Sequence, residues 1–419
     1  MVPTPLNNLL ANLDPPMSRQ LVTSITFPRR SLLQTISLAT LGCLTASLGS
    51  LAQSQPVASP TKSRSTIKVG TLEVVAELPI RPALVTVNRQ GRIFATVHWF
   101  DLQEPQLIEI TGRTEYKPWP NASWNRGFGQ GQDAFDQPLG ILVDSKNRVW
   151  TVDCGIFPTL ADGQPPLPNR SPRLLAFDAN TGENVYNLAL PKDICPPGTY
   201  PQDLAIDEVD NFAYLADIGG SGKPAIVVIN LTNNRVRRFE AHPSLTAENV
   251  DLMVEGKRLV FPDATGKFIP ARIGINPITL SADNDTVFFE PMCGLGWYSV
   301  PAQLFRDNAS DQRIASAIQR IANKPVCDGV ATDAEGNHFL TTLGENALDQ
   351  IDAQGRLTRL IQDDRIIWAD GVRFGLDSWL YISVNQLNRS PLFSGAGEQG
   401  KPPYTILRVW TGTRGIVGK

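Results

Sequence analysis

Four polar residues stand at corresponding places in a segment that recurs along the chain: Asp203, Asn276, Asp328 and Asp370. The segments are Pro201-Gln-Asp-Leu-Ala-Ile-Asp, Ile275-Asn-Pro-Ile-Thr-Leu-Ser, Cys327-Asp-Gly-Val-Ala-Thr-Asp and Ala369-Asp-Gly-Val-Arg-Phe-Gly, with Asp203 one place later in its repeat. Three carboxylates and an amide drawn to one axis open two chemistries. Around a divalent cation such as Ca²⁺ they act as hard oxygen ligands. Without a cation they repel one another, at least one pKa rises, and the raised carboxyl becomes a general acid or base. The competing assignment is structural, each Asp capping its own turn through backbone N–H groups.

Further polar and aromatic residues belong to the same neighbourhood. Asn346 and Asn385 follow the second strands of the last two repeats, where they either face the same site or form turns. Trp368, Trp297 and Tyr298 offer flat walls to a planar ligand. Trp297 and Tyr298 serve equally well as packing residues. His98 and His338 sit inside strand-like runs and read as packing. The chain has three histidines in all, which excludes a multi-histidine metal cage. No Ser-His-Asp order, thiol nucleophile or carboxylate pair on a single element stands out.

The elements that must position these residues follow from the repeat itself. Two further copies begin at Pro82 (Pro-Ala-Leu-Val-Thr-Val-Asn) and Pro138 (Pro-Leu-Gly-Ile-Leu-Val-Asp), making six. Each copy runs from a short apolar stretch through a polar turn into a second β-rich stretch, such as Arg148-Val-Trp-Thr-Val or Trp379-Leu-Tyr-Ile-Ser-Val. A hairpin-bearing unit repeated six times without helical period predicts an all-β, six-bladed β-propeller. Its blade-start residues converge on one mouth of a central channel. Unequal spacing between copies predicts insertions in individual blades. The strand Lys68–Leu78 has no unit of its own and is expected to pair with the last blade, closing the ring. One helix is expected over 311–321, with Ile314, Ile318 and Ile321 on one face and Ser310 as its cap.

Composition narrows the function. The chain has 419 residues, is 42% hydrophobic and carries a formal charge of −3. That is ample for a large core and gives no electrostatic footprint for nucleic acid. No Gly-rich phosphate loop follows a predicted strand.

Residues 1–65 read as an export signal and flexible linker, 66–413 as the propeller, and 414–419 as a C-terminal tail. Arg29-Arg30 precedes a charge-free, moderately apolar run, and Ser50-Leu51-Ala52 offers a cleavage site before Gln53. This is a twin-arginine-like pattern, with a plain secretory signal as the alternative. The expectation is an exported protein, periplasmic or extracellular, with no stable membrane span after signal removal. Four cysteines then remain in the propeller, open to three pairings. Cys154 and Cys195 flank the step from blade two to blade three, and Cys293 and Cys327 stand in the same relation across blades four and five. This predicts the disulfides Cys154–Cys195 and Cys293–Cys327.

Several segments in order resemble the Yellow/major royal jelly protein family. They include Phe135-Asp-Gln-Pro-Leu-Gly, Val149-Trp-Thr-Val-Asp-Cys-Gly-Ile, Tyr200-Pro-Gln-Asp-Leu-Ala-Ile-Asp, Asn385-Gln-Leu-Asn-Arg and the closing Lys401-Pro-Pro-Tyr-Thr-Ile-Leu-Arg-Val. The resemblance runs from about Pro79 to Trp410. It implies a six-bladed propeller, usually exported, that binds small ligands at one channel mouth. Members are linked to aromatic amine binding and dopachrome-type tautomerisation, and bacterial relatives are often only called related to such tautomerases. In that reading no cofactor is required; Asp328 and Asp370 move protons or pair with an ammonium group, and Asp203, Asn276, Asn346, Asn385 and Trp368 bind the ligand. A more distant resemblance is to the regucalcin/gluconolactonase propellers, which hold a divalent cation in the channel. It implies a lactonase-like hydrolase with Asn276, Asp328 and Asp203 as ligands, although the Glu expected from blade one is replaced by Arg81-Pro82-Ala83. A third possibility is an extracellular scaffold whose mouth is plugged by the insert Glu248–Pro270.

Overall fold

The computed structural model describes residues 67–98, 105–155, 170–220, 223–263 and 266–419. The predicted export signal and linker, residues 1–65, lie outside the described residues. Six four-stranded antiparallel sheets follow one another in the order of the six repeats, with two short hairpins inserted before the fourth. The inner strands are Pro82–Val87, Pro138–Val143, Pro201–Asp207, Ile275–Leu280, Cys327–Thr332 and Ala369–Phe374. They are buried at nearly every position, because both of their faces pack against neighbouring blades. An outer strand such as Asn184–Ala189 instead alternates between half-buried and exposed, as one covered face requires.

Ring closure is as expected. Leu72–Leu78 pairs antiparallel with Tyr404–Trp410, from Leu72 opposite Val409 to Leu78 opposite Tyr404. The first strand thus completes the sixth sheet and lies at its outer edge.

The core is divided into wedges between adjacent blades. Phe94, Trp119, Phe135 and Phe177 fill the wedge between blades one and two. Tyr214, Phe239, Phe289 and Phe305 fill the one between blades three and four. Phe339, Phe374 and Leu407 fill that between blades five and six. Each such side chain, fully buried, contributes about 1.5–3 kcal/mol, so the ring is held chiefly by these wedges. A separate cluster of Leu252, Val254, Leu259, Met292, Trp368 and Phe393 lies above the inner strands. It joins the insert before blade four to the closing segment of blade six.

Two expectations are corrected here. The helix is shorter than its isoleucine spacing suggests, running only over Asp311–Ala317, with the Ser310 hydroxyl accepting from the Arg313 amide at 3.3 Å. Ile321 belongs instead to the outer strand of blade four, Gln319–Asn323. The strand takes over because the sheet edge of Gly296–Pro301 offers backbone partners that a longer helix would leave unpaired.

The second correction concerns the disulfides Cys154–Cys195 and Cys293–Cys327, which are not formed; all four cysteines are free and buried. Each thiol is committed to a different apolar layer. Cys154 lies between blades one and two, where it donates to the Pro201 carbonyl at 3.1 Å, and Cys195 lies between blades two and three. Cys293 belongs to the cluster above the inner strands, whereas Cys327 lies between blades four and five and donates to Glu290 Oε1 at 3.1 Å. Burial pushes the Cys195 thiol up to about 12 and that of Cys327 up to about 11. Both stay protonated and inert.

Residues 414–419 do not hang free. The Phe374 amide donates to the Lys419 carbonyl and the Gly418 amide to the Phe374 carbonyl, both at 2.8 Å. Ile416, Val417 and Lys419 thereby join Leu142, Leu280 and Arg373 around a small space of about 40 Å³ at the channel end opposite the blade starts.

Candidate functional site

All six inner strands open with a register shift against the second strand of their blade. A bulge frees one residue from the ladder and re-aims its side chain. The residues following the first strand position are Ala83, Leu139, Gln202, Asn276, Asp328 and Asp370. All but Ala83 line a cavity of about 400 Å³ at this mouth. Glycine follows Asp328 and Asp370 for a steric reason. A Cβ at Gly329 would lie 2.1 Å from the Asp370 carbonyl oxygen, and one at Gly371 would lie 2.9 Å from the Leu84 Cα. The Asp-Gly pairs of blades five and six are therefore what neighbouring inner strands need in order to approach.

The polar half of the ring is a connected network. Gln202 donates to Asn276 Oδ1 and, at 3.5 Å, to Asp328 Oδ1. Asn276 donates to the same Asp328 oxygen at 2.6 Å, while Trp368 donates its indole N–H to Asp328 Oδ2 at 2.7 Å. Asn385 donates to Asp370 Oδ2 at 2.6 Å. Asp328 and Asp370 follow the first positions of neighbouring inner strands, and the charge of Asp328 bears on Asp370. Burial, the Asp328 charge and, more weakly, Asp203 hold Asp370 well above the ordinary carboxyl range. Burial pushes Asp328 up to about 6, against the N–H groups of Trp368 and Asn276, which favour its ionised form. Asp328, pushed to about 6, thus favours its ionised form beside Asp370, which favours its protonated form. Such a pair carries acid and base side by side.

The rest of the cavity is largely apolar. Met292, Leu387, Leu392, Phe261 and Phe393 line it together with Tyr200 and the face of Trp368. Phe393 packs on Trp368 at 4.9 Å between ring centroids, and Phe261 on Phe393 at 5.9 Å. The insert before blade four, which supplies Phe261, forms a wall of the cavity and leaves the mouth unplugged.

Several predicted site residues fall elsewhere. Asp203 does not line the cavity. It occupies the position that is glycine in blades two, five and six, and its Oδ1 accepts from Arg373 at 2.6 Å. Gln202 takes the mouth position in its place. Asn346 is a turn residue, ending the short helical turn Leu343–Glu345 with a φ of 50°. Asn385 touches the site through Asp370 and through its own backbone N–H, which donates to the Trp368 carbonyl at 3.2 Å. Trp297 and Tyr298 pack within blade four against Phe288 and Phe289. His338 packs beside Phe288 and Trp297 as expected, with Nδ1 2.9 Å from the Thr332 hydroxyl. His98, expected to be packing, lines the cavity instead. Burial and the nearby Arg81 cation hold it well below the usual imidazole range, so it is neutral.

The donor set implied for a divalent cation does not fit. Asp203 is committed to Arg373, Asn276 turns its N–H toward Asp328, and its Oδ1 is taken by Gln202. Among the described residues no three His, Cys, Asp or Glu side chains are grouped as metal ligands. Nor is any described helix long and apolar enough to cross a membrane.

Fold and site together define the class: a six-bladed propeller with two buried carboxyls, Asp328 and Asp370, in a largely apolar cavity at one channel mouth. A sequence profile of the major royal jelly protein family matches residues 138–369, and the chain belongs to that family. Major royal jelly protein 1 of Apis mellifera is 22% identical over 225 residues, covering 50% of this chain and 46% of the relative. Major royal jelly protein 3 of the same organism is 24% identical over 196 residues, covering 45% and 32%. The matches thus span less than half the length of these relatives. Among solved structures, a luciferin-regenerating enzyme superposes with a TM-score of 0.50 at 11% identity, covering 83% of this chain and 98% of its own. That likeness speaks for the fold alone.

Proposed function

We propose that this protein is an exported propeller that binds a small aromatic amine or quinone-like compound in the mouth cavity and tautomerises it. The observation that carries the reading is the Asp328–Asp370 pair, two buried carboxyls with raised pKa values lining one cavity against an aromatic wall. Tautomerisation moves one proton from carbon to oxygen without net oxidation. Ionised Asp328 accepts the C–H proton while Asp370 gives its proton to the ligand's carbonyl oxygen. The proton now on Asp328 passes back to Asp370, restoring the starting state. Trp368 and Asn276 hold the carboxylate of Asp328 in place, and Asn385 holds Asp370. No metal enters the sequence of steps.

Export is part of the proposal, resting on Arg29-Arg30 and the following apolar run. A periplasmic or extracellular setting places the cavity among small solutes outside the cell.

The test follows dopachrome-type conversion by absorbance and dopamine binding by quenching of tryptophan emission, for wild type and Asp370→Asn. Turnover lost at least a hundredfold in the variant, with binding kept, supports the assignment. Binding without turnover in the wild type reduces the protein to a carrier. Absence of both overturns the reading.

A further inference from the structure

Four of the eleven exposed large apolar side chains among the described residues, Met253, Phe261, Phe268 and Ile269, stand on the insert before blade four. Each is between 37% and 45% exposed. Apolar side chains scattered singly over a surface are ordinary, whereas several on one element mark a contact. Phe261 and Ile269 are cross-strand partners in the hairpin of Val260–Pro262 with Phe268–Pro270, so they share one of its faces. Phe268, next along the strand from Ile269, stands on the other. The hairpin pairs with no further described strand. It rests on the closing segment of blade six, where a Cβ at Gly395 would meet Val260 at 3.2 Å and the Phe268 ring at 3.6 Å.

The charges beside this surface are one-sided. Lys257, Lys267 and Lys401 are exposed and form no ion pair among the described residues. The acids nearby are engaged. Asp251 faces two arginines, the cavity-lining Arg272 at 2.6 Å and Arg258 at 3.9 Å. Glu255 pairs with Arg389 at 2.7 Å and Glu398 with Arg81 at 2.9 Å, while Asp263 accepts the Lys267 amide at 3.1 Å. Gln386 fixes Lys401 to the same rim, donating to its carbonyl at 2.9 Å and accepting its N–H at 3.1 Å. The rim is therefore locally cationic on a chain whose formal charge is −3.

Together the two features specify the partner. A second copy of this chain would bring the same lysines face to face, and that repulsion opposes self-association. A hairpin with apolar side chains on both faces is a wedge, not the groove that a peptide needs. We propose that this insert docks on an anionic phospholipid bilayer. Phe268 and Ile269 enter the bilayer interface, and Lys257, Lys267 and Lys401 lie against the phosphate headgroups. Aromatic and aliphatic side chains flanked by lysines suit that interface, and binding grows with buried apolar area and with basic charge. Phe261 belongs both to this surface and to the cavity lining, so docking turns the mouth toward the lipid. The inference stands apart from the reaction proposed above and holds for any ligand of the cavity.

Flotation of the full chain with vesicles tests it, using phosphatidylcholine alone and phosphatidylcholine mixed with phosphatidylglycerol. Wild type is compared with two double variants, Phe268→Ser with Ile269→Ser and Lys257→Gln with Lys267→Gln. The apolar run after Arg30 is common to all three, so differences among them report the insert. Wild type is expected to bind the anionic vesicles at least about tenfold more strongly than the neutral ones. The lysine variant should lose about fivefold for each residue replaced, and high salt should weaken wild type in the same way. The serine variant should lose about tenfold on the anionic vesicles. Melting curves that coincide for the three proteins exclude a folding defect. Equal binding of all three to anionic vesicles would overturn the assignment and place any lipid contact elsewhere on the chain. So would a wild type that stays off both kinds of vesicle. Self-association without lipid, abolished by the serine substitutions, would assign the hairpin to a protein contact and overturn the proposal as well.

Discussion

Trp368 donates its indole N–H to Oδ2 of Asp328 at 2.7 Å from a backbone held at a φ of 50°. A bulky residue in the left-handed region is uncommon and carries a backbone cost. Here that conformation puts the ring in the cavity wall and its N–H on a fully buried carboxylate. The hydrogen bond favours ionised Asp328, so its removal raises the Asp328 pKa further.

The first prediction uses that sign. Turnover that needs ionised Asp328 should fall on the acid side with a midpoint near the value to which Asp328 is pushed, about 6. Trp368→Phe keeps the aromatic wall and deletes the donor. The acid limb should move to higher pH, with activity at pH 6 reduced about tenfold, as expected for losing a hydrogen bond to a charged group. A rate–pH series on both proteins decides it, and superimposable limbs would reject Asp328 as the base.

Asp370 yields a second prediction, in stability. Its folded-state pKa is raised, so between the unfolded value and the folded one the native protein binds the extra proton. Its favourable contribution is complete below the unfolded pKa, near 3.8, and is lost as pH climbs through the folded value. Asp370→Asn removes the titration and keeps the shape. It should therefore be more stable than wild type at pH 8, by on the order of 1 kcal/mol, with the gap closing toward pH 4, while turnover disappears. Urea melts at the two pH values provide the measurement. A gap that widens on acidification would contradict the assignment.

How far the chain itself disclosed this arrangement depends on the register of a few residues. The number of blades, the closing strand and the placing of Asn276, Asp328 and Asp370 were legible, because every inner strand repeats the same apolar run and turn. Asp203 was misjudged by one position. Its bulge lies between Pro201 and Asp203, so Gln202 occupies the place of Asp328 and Asp370. Aligning Pro201-Gln-Asp strictly with Cys327-Asp-Gly exposes the offset. The cysteine bridges failed for a different reason: neighbouring loops in sequence order feed separate interblade wedges, and spacing alone does not reveal which wedge a side chain enters. Arg272 and His98 carried no repeat signal, since both stand outside the inner strands, and only the folded ring brings them to the cavity.

Arg373 and Asp203 support a third prediction. The pair is buried, with Arg373 also donating to the carbonyls of Val330 and Val372 at 3.2 and 2.9 Å. Arg373→Ala leaves Asp203 buried and uncompensated beside Asp328 and Asp370, at a cost of about 3–5 kcal/mol. Adding Asp203→Ala should restore much of that loss, because the stranded charge goes with it. Denaturant titrations of the two single variants and the double variant form the cycle. If the single losses simply add, the two residues do not act as a pair.

The fourth prediction separates free thiols from disulfides. Cys154, Cys195, Cys293 and Cys327 are buried and unpaired, and burial raises the pKa of all four. A thiol reacts through its thiolate, so both the shortage of that form and the lack of access protect them. The native protein should show no fast reaction of these four with a chromogenic disulfide reagent, and all four should react once guanidinium unfolds the chain. A reductant should leave the melting temperature within about 1 °C, whereas opening even one disulfide typically costs 2–5 kcal/mol and would lower it by several degrees. The comparison is most telling in protein recovered from an oxidising compartment, where pairing would form if the geometry allowed it. Two thiols recovered instead of four after unfolding would show that the wedges holding Cys154 and Cys195, or Cys293 and Cys327, open far enough to join them.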